Sequence, residues 1–522
     1  MVLNGAQPRT STVWSDLPAG LRPDELSDPA HFDVVVVGAG IVGLTTALLA
    51  ARAGMRVAVV EAREPGAGTT GRSTAKATLL QGATASEILR RHGEGVLQHY
   101  VDANRAGLDL LRSNFADSEV PWQVRDAWTY AADQEAGERV HAEVAALRRA
   151  GVPAELAATD ELPFPTWGGV RVADQLQLDP AAYVGWLVGQ AQQAGAQVSW
   201  PLRALGVKHE ADEMVVDCGE RQLSARWVIL ATLLPFPLRT LMFAVATPSR
   251  SYAVSGWADR AERPQGMYLS VGAGPTRSLR TATDPSGREV LLVGGHGHPT
   301  GRGLPASGHL HQLQEWGMQQ FGSPGETHRW SAQDYLSADL LPHVGAARHL
   351  APEQLLFACG FSKWGITNGT AAAIALVATI QGRAPEWAAP LAPRIPRGRD
   401  AASRLVQANL HVGLDLVRGW TLDPQIGGSP AEGTGEVLRH LPAPVAVSRV
   451  DGRLTACSAV CTHIGGIVRY NDVEQSWDCP LHGSRFTHDG AVLEGPAVAH
   501  LRPASLPARV ADADDDPGPG RG

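Results

Sequence analysis

Two short segments near the end of the chain each carry one cysteine and one histidine. Cys461 and His463 stand in CTH, and Cys479 and His482 stand in CPLH. A zinc site with two cysteines and two histidines usually takes its cysteines from one pair and its histidines from another. Here the two types alternate, which suits a [2Fe–2S] cluster with two thiolates on one iron and two imidazoles on the other. The spacing therefore favours an iron–sulfur centre over zinc.

The loops CTH and CPLHGS, which include Pro480 and Gly483, closely resemble the two ligand loops of the Rieske domain. The turn-rich sequence around them is also typical of that small all-β domain, which we expect at residues 431–508. The resemblance implies that four residues hold the cluster: Cys461, His463, Cys479 and His482.

Some positions around these loops depart from the Rieske pattern. Many Rieske proteins of high potential carry an extra cysteine in each loop, where this chain has Gly466 and Leu481, so no disulfide can cross the cluster. Ser484 is retained, but Phe486 stands where a tyrosine often tunes the potential. Because fewer hydrogen bonds to the cluster lower its potential, we predict a value in the lower half of the Rieske range of about −150 to +300 mV. Cys457 is expected to be a non-ligand.

A second group of residues, near the start of the chain, is suited to binding a dinucleotide. Gly38, Gly40 and Gly43 spell G-x-G-x-x-G between a predicted strand, DVVVVGAG, and a predicted helix, IVGLTTALLAARAG. Such glycines permit a tight turn and let helix amides approach a pyrophosphate. Glu61 ends the next predicted strand, where a carboxylate binds a ribose hydroxyl. Residues 34–51 are also long enough to span a membrane, but the spaced glycines favour a buried nucleotide-binding unit.

The stretch VVVVGAGIVGLTTALLAARAGMRVAVVEA resembles the N-terminus of the FAD-dependent D-amino-acid oxidase/glycine oxidase superfamily. Two later segments, GTTGRSTAKATLLQG (68–82) and CGFSKWGITNGTAAA (359–373), resemble its pyrophosphate loop and its final flavin motif. The resemblance covers about residues 31–385 and implies FAD as cofactor. It implies that FAD is held by Gly38, Gly40, Gly43, Glu61, Thr70, Gly71, Arg72, Ser73, Thr74, Lys76, Val207, Gly360, Gly365, Ile366 and Thr367.

The candidate catalytic residues come from the same comparison and from residue usage. Only three of the 45 Lys and Arg residues are lysines, and two of them, Lys76 and Lys363, fall in flavin motifs, where a compact ammonium would contact the flavin or a ligand. Ordinary phosphate or surface pairing is the alternative for both. Trp364 would form an aromatic wall near the ring. The full set of catalytic candidates is Lys363, Trp364, Arg250, Tyr252 and His296.

The last three candidates fall in the expected substrate-domain sheet. Arg250 would anchor a substrate carboxylate by a bidentate pair, or serve as a structural arginine. His296 stands with His298 in HGH, where an imidazole would lie over the flavin unless both histidines are incidental to a glycine-rich loop.

The elements that must position these residues predict an α/β fold: a Rossmann-like FAD-binding domain with an inserted β-sheet substrate domain, followed by a small all-β Rieske domain. We expect FAD-binding segments at about 31–83, 200–245 and 330–385, and substrate-domain segments at about 84–199 and 246–329. The other predicted parts are a surface arm (1–30), a linker and helix (386–430) and a disordered acidic tail (509–522).

Composition narrows the function classes. A chain of 522 residues is too long for one core, and 44% hydrophobic with 19% charged residues is typical of a soluble protein. The net charge of −8 argues against a nucleic-acid partner. The five cysteines form no disulfide framework and the N-terminus lacks signal-peptide features, so we expect a cytoplasmic protein without a membrane span.

Together the two cofactor motifs resemble bacterial FAD-dependent oxidoreductases with a C-terminal Rieske domain. No second G-x-G-x-x-G stands between a predicted strand and a predicted helix, so we expect no built-in nicotinamide site. We expect oxidation of a small molecule, an amine or amino acid, by hydride transfer to flavin N5, with electrons leaving singly through the cluster to an acceptor protein or quinone. Two alternatives stay open: an electron-transfer protein serving an oxygenase, and a flavin oxidase whose cluster is structural or redox-sensing.

Overall fold

The computed structural model describes residues 11–14, 16–18, 20–26, 31–256, 263–322, 328–347, 351–395, 410, 412–416, 420, 429–438, 443–506 and 510. The predicted acidic tail at 509–522 lies outside these residues except for position 510. Most of the predicted linker and helix at 386–430 also lies outside them.

The helices and strands follow one another in an order typical of an α/β fold with a terminal all-β part. The helices are α1 (Ile41–Arg52), α2 (Thr84–His92), α3 (Glu94–Ala116), α4 (Gln134–Arg149), α5 (Pro180–Gln193), α6 (Ala306–Phe321) and α7 (Gly365–Ile380). The strands are β1 (His31–Val37), β2 (Val57–Val60), β3 (Lys76–Ala77), β4 (Trp122–Ala131), β5 (Ala154–Ala157), β6 (Gly169–Leu178), β7 (Gln197–Ser199), β8 (Gly206–Glu210), β9 (Glu213–Asp217), β10 (Gln222–Leu230), β11 (Ala246–Gly256), β12 (Met267–Val271), β13 (Arg277–Thr283), β14 (Glu289–Pro299), β15 (Arg329–Ser337), β16 (His343–Ala346), β17 (Leu355–Cys359), β18 (Gly435–Leu438), β19 (Val445–Val450), β20 (Arg453–Ser458), β21 (Arg469–Asn471), β22 (Ser476–Asp478), β23 (Arg485–Thr487) and β24 (Val492–Glu494).

The first sheet has the order β16-β17-β10-β1-β2-β7, with the hairpin of β8 and β9 attached to β10. Its strands from β17 to β7 pair in parallel. The central strands are almost entirely apolar and buried, as expected for a parallel sheet covered on both faces. Helices α1 and α7 pack against this sheet and against each other. This is the Rossmann-like part of the predicted fold.

The second sheet has the order β15-β11-β14-β13-β12-β4-β6-β3, with β5 paired to β6. Two of its strands, β3 and β15, come from segments that the sequence assigned to the FAD-binding domain. The reason is hydrogen bonding across the domain boundary, because β15 pairs with β11 along almost its whole length and β3 pairs with β6. The two domains therefore share the two end strands of this sheet, β3 and β15, instead of meeting only at short linkers.

The C-terminal part contains two small antiparallel sheets, β18-β19-β20 and β21-β22-β23-β24. The second of these sheets and the two Cys-His loops share one buried apolar cluster that includes Trp477 and Phe486. The α/β fold class with a terminal all-β domain is confirmed.

The described part of the predicted N-terminal arm is packed against the protein. Val13 and Trp14 are buried, and Trp14 Nε1 donates to the carbonyl of Ser73 at 2.9 Å. Its indole also meets Trp330 edge to face. This segment is therefore part of the wall behind the predicted flavin loop and does not lie free on the surface. None of the described helices is both long and apolar enough to cross a membrane.

Candidate functional site

A cavity of about 580 Å³ lies where the two large sheets and the C-terminal domain meet. Four chain segments that the sequence marked for FAD all reach its wall: the glycine turn, the end of β2, the loop after it, and the start of α7. Ten of the predicted FAD-binding residues line this cavity: Gly38, Gly40, Glu61, Thr70, Arg72, Ser73, Thr74, Lys76, Gly365 and Ile366.

In the glycine turn, the backbone atoms lie so close together that Gly38 and Gly43 leave no space for a side chain. A Cβ on Gly43 would stand 1.9 Å from the carbonyl oxygen of Gly38, which itself has φ +106° and lies against Ala231. The turn leads into α1, whose N-cap residue is Gly40 and so supplies no side-chain cap of its own. Glu61 accepts hydrogen bonds from the amides of Ala39 and Arg63, both at 2.9 Å. This cradle of backbone amides with a carboxylate beside it fits the pyrophosphate and ribose of a dinucleotide.

The loop after β2 closes over the glycine turn. Thr70 Oγ1 accepts from the amide of Ile41 at 3.1 Å, and Gly71 makes a tight return because a Cβ there would meet the Gly66 carbonyl at 2.6 Å. Gly71 does not itself line the cavity. Lys76 is buried, and its Nζ donates to the Tyr268 carbonyl at 2.6 Å and to Ser278 Oγ at 2.7 Å. Burial and the charge of Arg280 lower the pKa of Lys76 well below its ordinary value.

Lys363 and Trp364 line the other end of the cavity, just before α7. Ser362 and Lys363 adopt left-handed backbone angles of +51° and +74°. This turn is held because the amide of Lys363 donates to the carboxylate of buried Asp334. Lys363 is exposed to the cavity; its Nζ donates to Ser251 Oγ at 2.7 Å, and desolvation by the surrounding protein lowers its pKa. The arrangement presents an ammonium and a hydroxyl together at the cavity wall.

Two predicted flavin residues of this motif lie behind the wall. Gly360 forms a turn with φ +75°, and Thr367 is buried in α7, where its hydroxyl accepts from Gln81 at 3.3 Å. Val207, which was expected at the adenine, lies in β8 and does not line the cavity either. Arg203 and Ala204 line the cavity instead.

The substrate-domain candidates separate in space. Tyr252 lines the cavity, and its hydroxyl lies 3.1 Å from Nε2 of His298. Because Nδ1 of His298 faces the Pro299 carbonyl at 2.9 Å, it carries the proton, so Nε2 accepts from the tyrosine. His298 also stacks on His309 with ring centroids 3.9 Å apart. Burial lowers the pKa of His298 to about 4, so this imidazole is neutral near pH 7.

His296 and Arg250 do not line the cavity. His296 is buried with φ +52°, and its Nε2 has no hydrogen-bond partner among the described residues. Arg250 is 1% exposed; its Nη1 donates to Ser331 at 2.7 Å, and its Nη2 pairs with Asp478 of the C-terminal domain at 3.3 Å. Arg250 therefore lies in a domain interface, which is not the position of a substrate-carboxylate anchor.

The four Cys and His residues come together in the C-terminal domain. The thiols of Cys461 and Cys479 lie within hydrogen-bonding distance of each other, and the rings of His463 and His482 have centroids 5.2 Å apart. Nδ1 of each histidine is buried and has no hydrogen-bond partner within the described part of the chain. Burial lowers the pKa of His463 to about 4 and that of His482 to about 3, so both are in the neutral form that binds iron. Two thiols side by side and two unpaired imidazole nitrogens side by side fit a Rieske cluster.

The shell around these ligands is mainly apolar. Leu481 and Phe486 are buried, and a Cβ on Gly466 would stand 2.6 Å from Leu481. The ring of Phe243, which comes from the flavoprotein part, lies edge-on to both ligand histidines, 5.1 Å from His482. Cys457 is buried in β20 and is not one of the paired thiols. The predicted low potential stays a prediction.

Ion pairs join the flavoprotein part to the C-terminal domain, Arg72 with Glu474 and Arg250 with Asp478. Within the C-terminal domain, Arg485 pairs with Asp478 and Glu494. Arg72, in the loop over the glycine turn, pairs with Glu474 at 2.7 Å. The sequence does not reveal the pairs that join the domains, because Arg72 and Glu474, like Arg250 and Asp478, are hundreds of residues apart and nothing local marks them.

Comparisons with known proteins agree with this geometry. A family model described as FAD dependent oxidoreductase matches residues 33–379, and one described as Rieske [2Fe-2S] domain matches residues 428–505. The fold and the two sites define an oxidoreductase that binds FAD and a [2Fe-2S] cluster. The chain belongs to the FAD dependent oxidoreductase family and carries a C-terminal Rieske domain.

Among individual proteins, the chain is 29% identical over 503 residues to YhfW of Bacillus subtilis (strain 168), named as a candidate Rieske 2Fe-2S iron-sulfur protein, covering 95% of this chain and 97% of that one. It is 39% identical over 70 residues to the cytochrome b6-f complex iron-sulfur subunit of Chlorobaculum tepidum, covering 13% of this chain and 39% of the subunit. Of solved structures, glycine oxidase from Geobacillus kaustophilus aligns with TM-score 0.57 at 16% identity, covering 71% of this chain and 100% of that chain. L-proline dehydrogenase from P. horikoshii aligns with TM-score 0.57 at 18% identity, covering 71% and 98%. Identities this low show the fold alone.

Proposed function

We propose that the protein is a cytoplasmic dehydrogenase for a small amine or amino acid, in which hydride goes to flavin N5 and electrons leave singly through the Rieske cluster to an acceptor protein or quinone. Bound FAD would supply the two-electron oxidation and the cluster the one-electron step. The observation that carries the proposal is the position of strand β15, which separates the cavity from the cluster loop.

Successive side chains of a strand point to opposite faces, and β15 uses both faces. Trp330, Ala332 and Asp334 line the cavity. On the other face, Gln333 donates to the Gly483 carbonyl at 2.8 Å, and the hydroxyl of Tyr335 donates to the His482 carbonyl at 2.7 Å. One strand thus touches the cavity and the second ligand loop at once, which supports direct electron transfer between the two sites.

The other end of the cavity supports a substrate with an anionic group. Lys363 and Ser251 place an ammonium and a hydroxyl 2.7 Å apart at the cavity wall, a pair suited to a carboxylate. Tyr252 adds a hydroxyl whose proton is directed to His298. Amino acids combine a carboxylate with an oxidisable amine, and the names of the two aligned structures, glycine oxidase and L-proline dehydrogenase, point to the same class.

The test is anaerobic reduction of the purified full chain by a panel of amines, amino acids and hydroxy acids, read by flavin absorbance and then by cluster EPR. We expect an amino acid or amine to bleach the flavin and then produce the cluster signal. Lys363→Met should raise KM for an acid far more than for the corresponding amine, and Lys208→Met, on an exposed lysine of β8, is the matched control. The proposal is overturned if no donor in the panel reduces the flavin.

The same preparation separates the two alternatives. Rapid flavin bleaching by NADH or NADPH without substrate would favour an electron-transfer protein that serves an oxygenase. Unchanged turnover with oxygen in Cys461→Ser would favour an oxidase with a structural or sensing cluster. The proposed relay instead predicts that Cys461→Ser is reduced by substrate but fails to pass electrons to a one-electron acceptor.

A further inference from the structure

The wall of the FAD cavity is not made by the flavoprotein part alone. The turn that begins in strand β24 of the Rieske domain also lines it, through Leu493, Glu494, Gly495, Ala497 and Val498. This segment is therefore a candidate part of the FAD site, although it lies outside the matched flavoprotein region at residues 33–379.

The contacts of this segment place it at the adenosine end of the cavity. Arg203 Nη2 donates to the carbonyl of Val492 at 2.9 Å, and Arg203 lines the cavity with Arg63. Arg63 follows closely after Glu61, the carboxylate at the end of β2 that stands at the ribose position. The charge of Arg63 also acts on Glu494. The Rieske segment thus faces the ribose-binding side of the Rossmann-like sheet.

Glu494 offers a further sign of a missing partner. Its Oε1 pairs with Arg485 at 2.9 Å, and the side chain is 10% exposed. Its Oε2 is buried and accepts no hydrogen bond from the described residues. Leaving a buried carboxylate oxygen without a donor is costly, so a donor belonging to a bound molecule is expected here. The adenosine half of FAD has hydroxyl and amino groups that can donate.

We propose that the Rieske domain completes the FAD site, with residues 493–498 closing over the adenosine half of FAD. FAD then enters or leaves only when the Rieske domain moves away from the flavoprotein part. The partly buried pair of Arg72 with Glu474 holds that closed arrangement, because it ties the loop over the glycine turn to the Rieske domain. The Rieske domain is in this way a structural component of flavin binding as well as an electron carrier.

The first test is a bulky substitution on the cavity side of this turn. Val498→Trp fills the adenosine end, whereas Ala499→Trp adds the same side chain at the next, exposed position, which does not line the cavity. Deflavinated full-length protein is titrated with FAD, and cluster content is followed by EPR. We expect Val498→Trp to raise Kd at least tenfold with the cluster signal retained, and Ala499→Trp to bind as the unmodified protein does. Unchanged Kd in Val498→Trp overturns the proposal.

A second measurement needs no variant, and it tests whether residues 493–498 cover bound FAD even if Val498→Trp fails to fold. Hydrogen exchange of the deflavinated full chain is compared with and without FAD. We expect slower exchange in residues 493–498 when FAD is bound, with no change in β20, which belongs to the same domain but lies away from the cavity. Equal exchange of 493–498 in both states refutes the closure. Neither measurement uses a substrate, so the result stands whether or not the proposed dehydrogenase activity is found.

Discussion

Replacing Arg250 with methionine tests whether this arginine belongs to the domain interface or to the substrate site. Its guanidinium is almost fully buried and pairs with Asp478 at 3.3 Å, in the strand that leads to ligand Cys479. Methionine keeps much of the length of the side chain and removes the charge. Burial by itself would raise the pKa of Asp478, but Arg250 and Arg485 together hold it below its usual range.

The expected loss of stability in Arg250→Met depends on which ion pairs of Asp478 remain. Breaking a buried ion pair by removing one partner costs about 3–5 kcal/mol. Arg485 stays 3.1 Å from Asp478 and still compensates part of its charge, so we expect the low end, about 3 kcal/mol. Arg171→Met is the matched control, because it breaks a half-exposed ion pair with Asp126, for which about 0.2–1 kcal/mol is expected.

The assay is urea unfolding followed by flavin fluorescence, with the KM for the best donor measured on the same samples. The interface role predicts a clearly lower midpoint for Arg250→Met than for Arg171→Met, and little change in KM. A substrate-anchor role predicts the opposite pattern. Arg250→Met with the stability of the control and a strongly raised KM for acidic substrates would therefore refute the structural reasoning.

Further predictions concern the two cofactor sites and the interface between them. Gly43→Ala forces a Cβ to within 1.9 Å of a carbonyl oxygen and should lose FAD absorbance on purification, whereas Gly189→Ala, with nothing within 4 Å of the added Cβ, should keep it. Burial alone would raise the pKa of Glu474, but neighbouring arginines hold it below its usual value. The ionised carboxylate of Glu474 therefore stabilises the fold above its unfolded pKa of about 4.3, and this contribution is lost as the pH falls through the folded pKa. Because Glu474→Gln lacks this titrating group, its melting temperature should fall less steeply on acidification than that of the unmodified protein. If melting temperature depends on pH equally in the two proteins, the ion pairs of Glu474 do not account for the loss of stability in acid. Tyr335→Phe removes the hydroxyl that donates to the buried carbonyl of His482 in the second cluster loop, so the free energy of unfolding should fall by about 1–3 kcal/mol. It should also slow reduction of the cluster measured by stopped flow. An unchanged reduction rate would exclude this contact from the electron route.

The sequence predicted those parts of the sites that are local in the chain. Gly38 and Glu61 sit at fixed distances around one strand-turn-helix-strand unit, and the ligand loops carry their pattern within a few residues each. Their positions follow from backbone geometry that any such segment must adopt. Val207 lies in strand β8 and does not line the cavity, whereas Ala204, just before that strand, does.

Arg250 shows the second reason why prediction stopped short. A buried arginine near a substrate site can pair with the carboxylate of a ligand or with a carboxylate from another domain. The residue type alone does not tell which of the two it binds. Here the partner lies in the Rieske domain. Strand β15 does carry a sign of this outcome, since RWSAQDYLS places polar side chains on both faces of a strand that is mostly buried. An ordinary sheet strand with one solvated face alternates apolar and polar residues. Polar groups on two buried faces need partners on both sides, and in this protein those partners are a cofactor cavity on one side and the cluster-binding domain on the other.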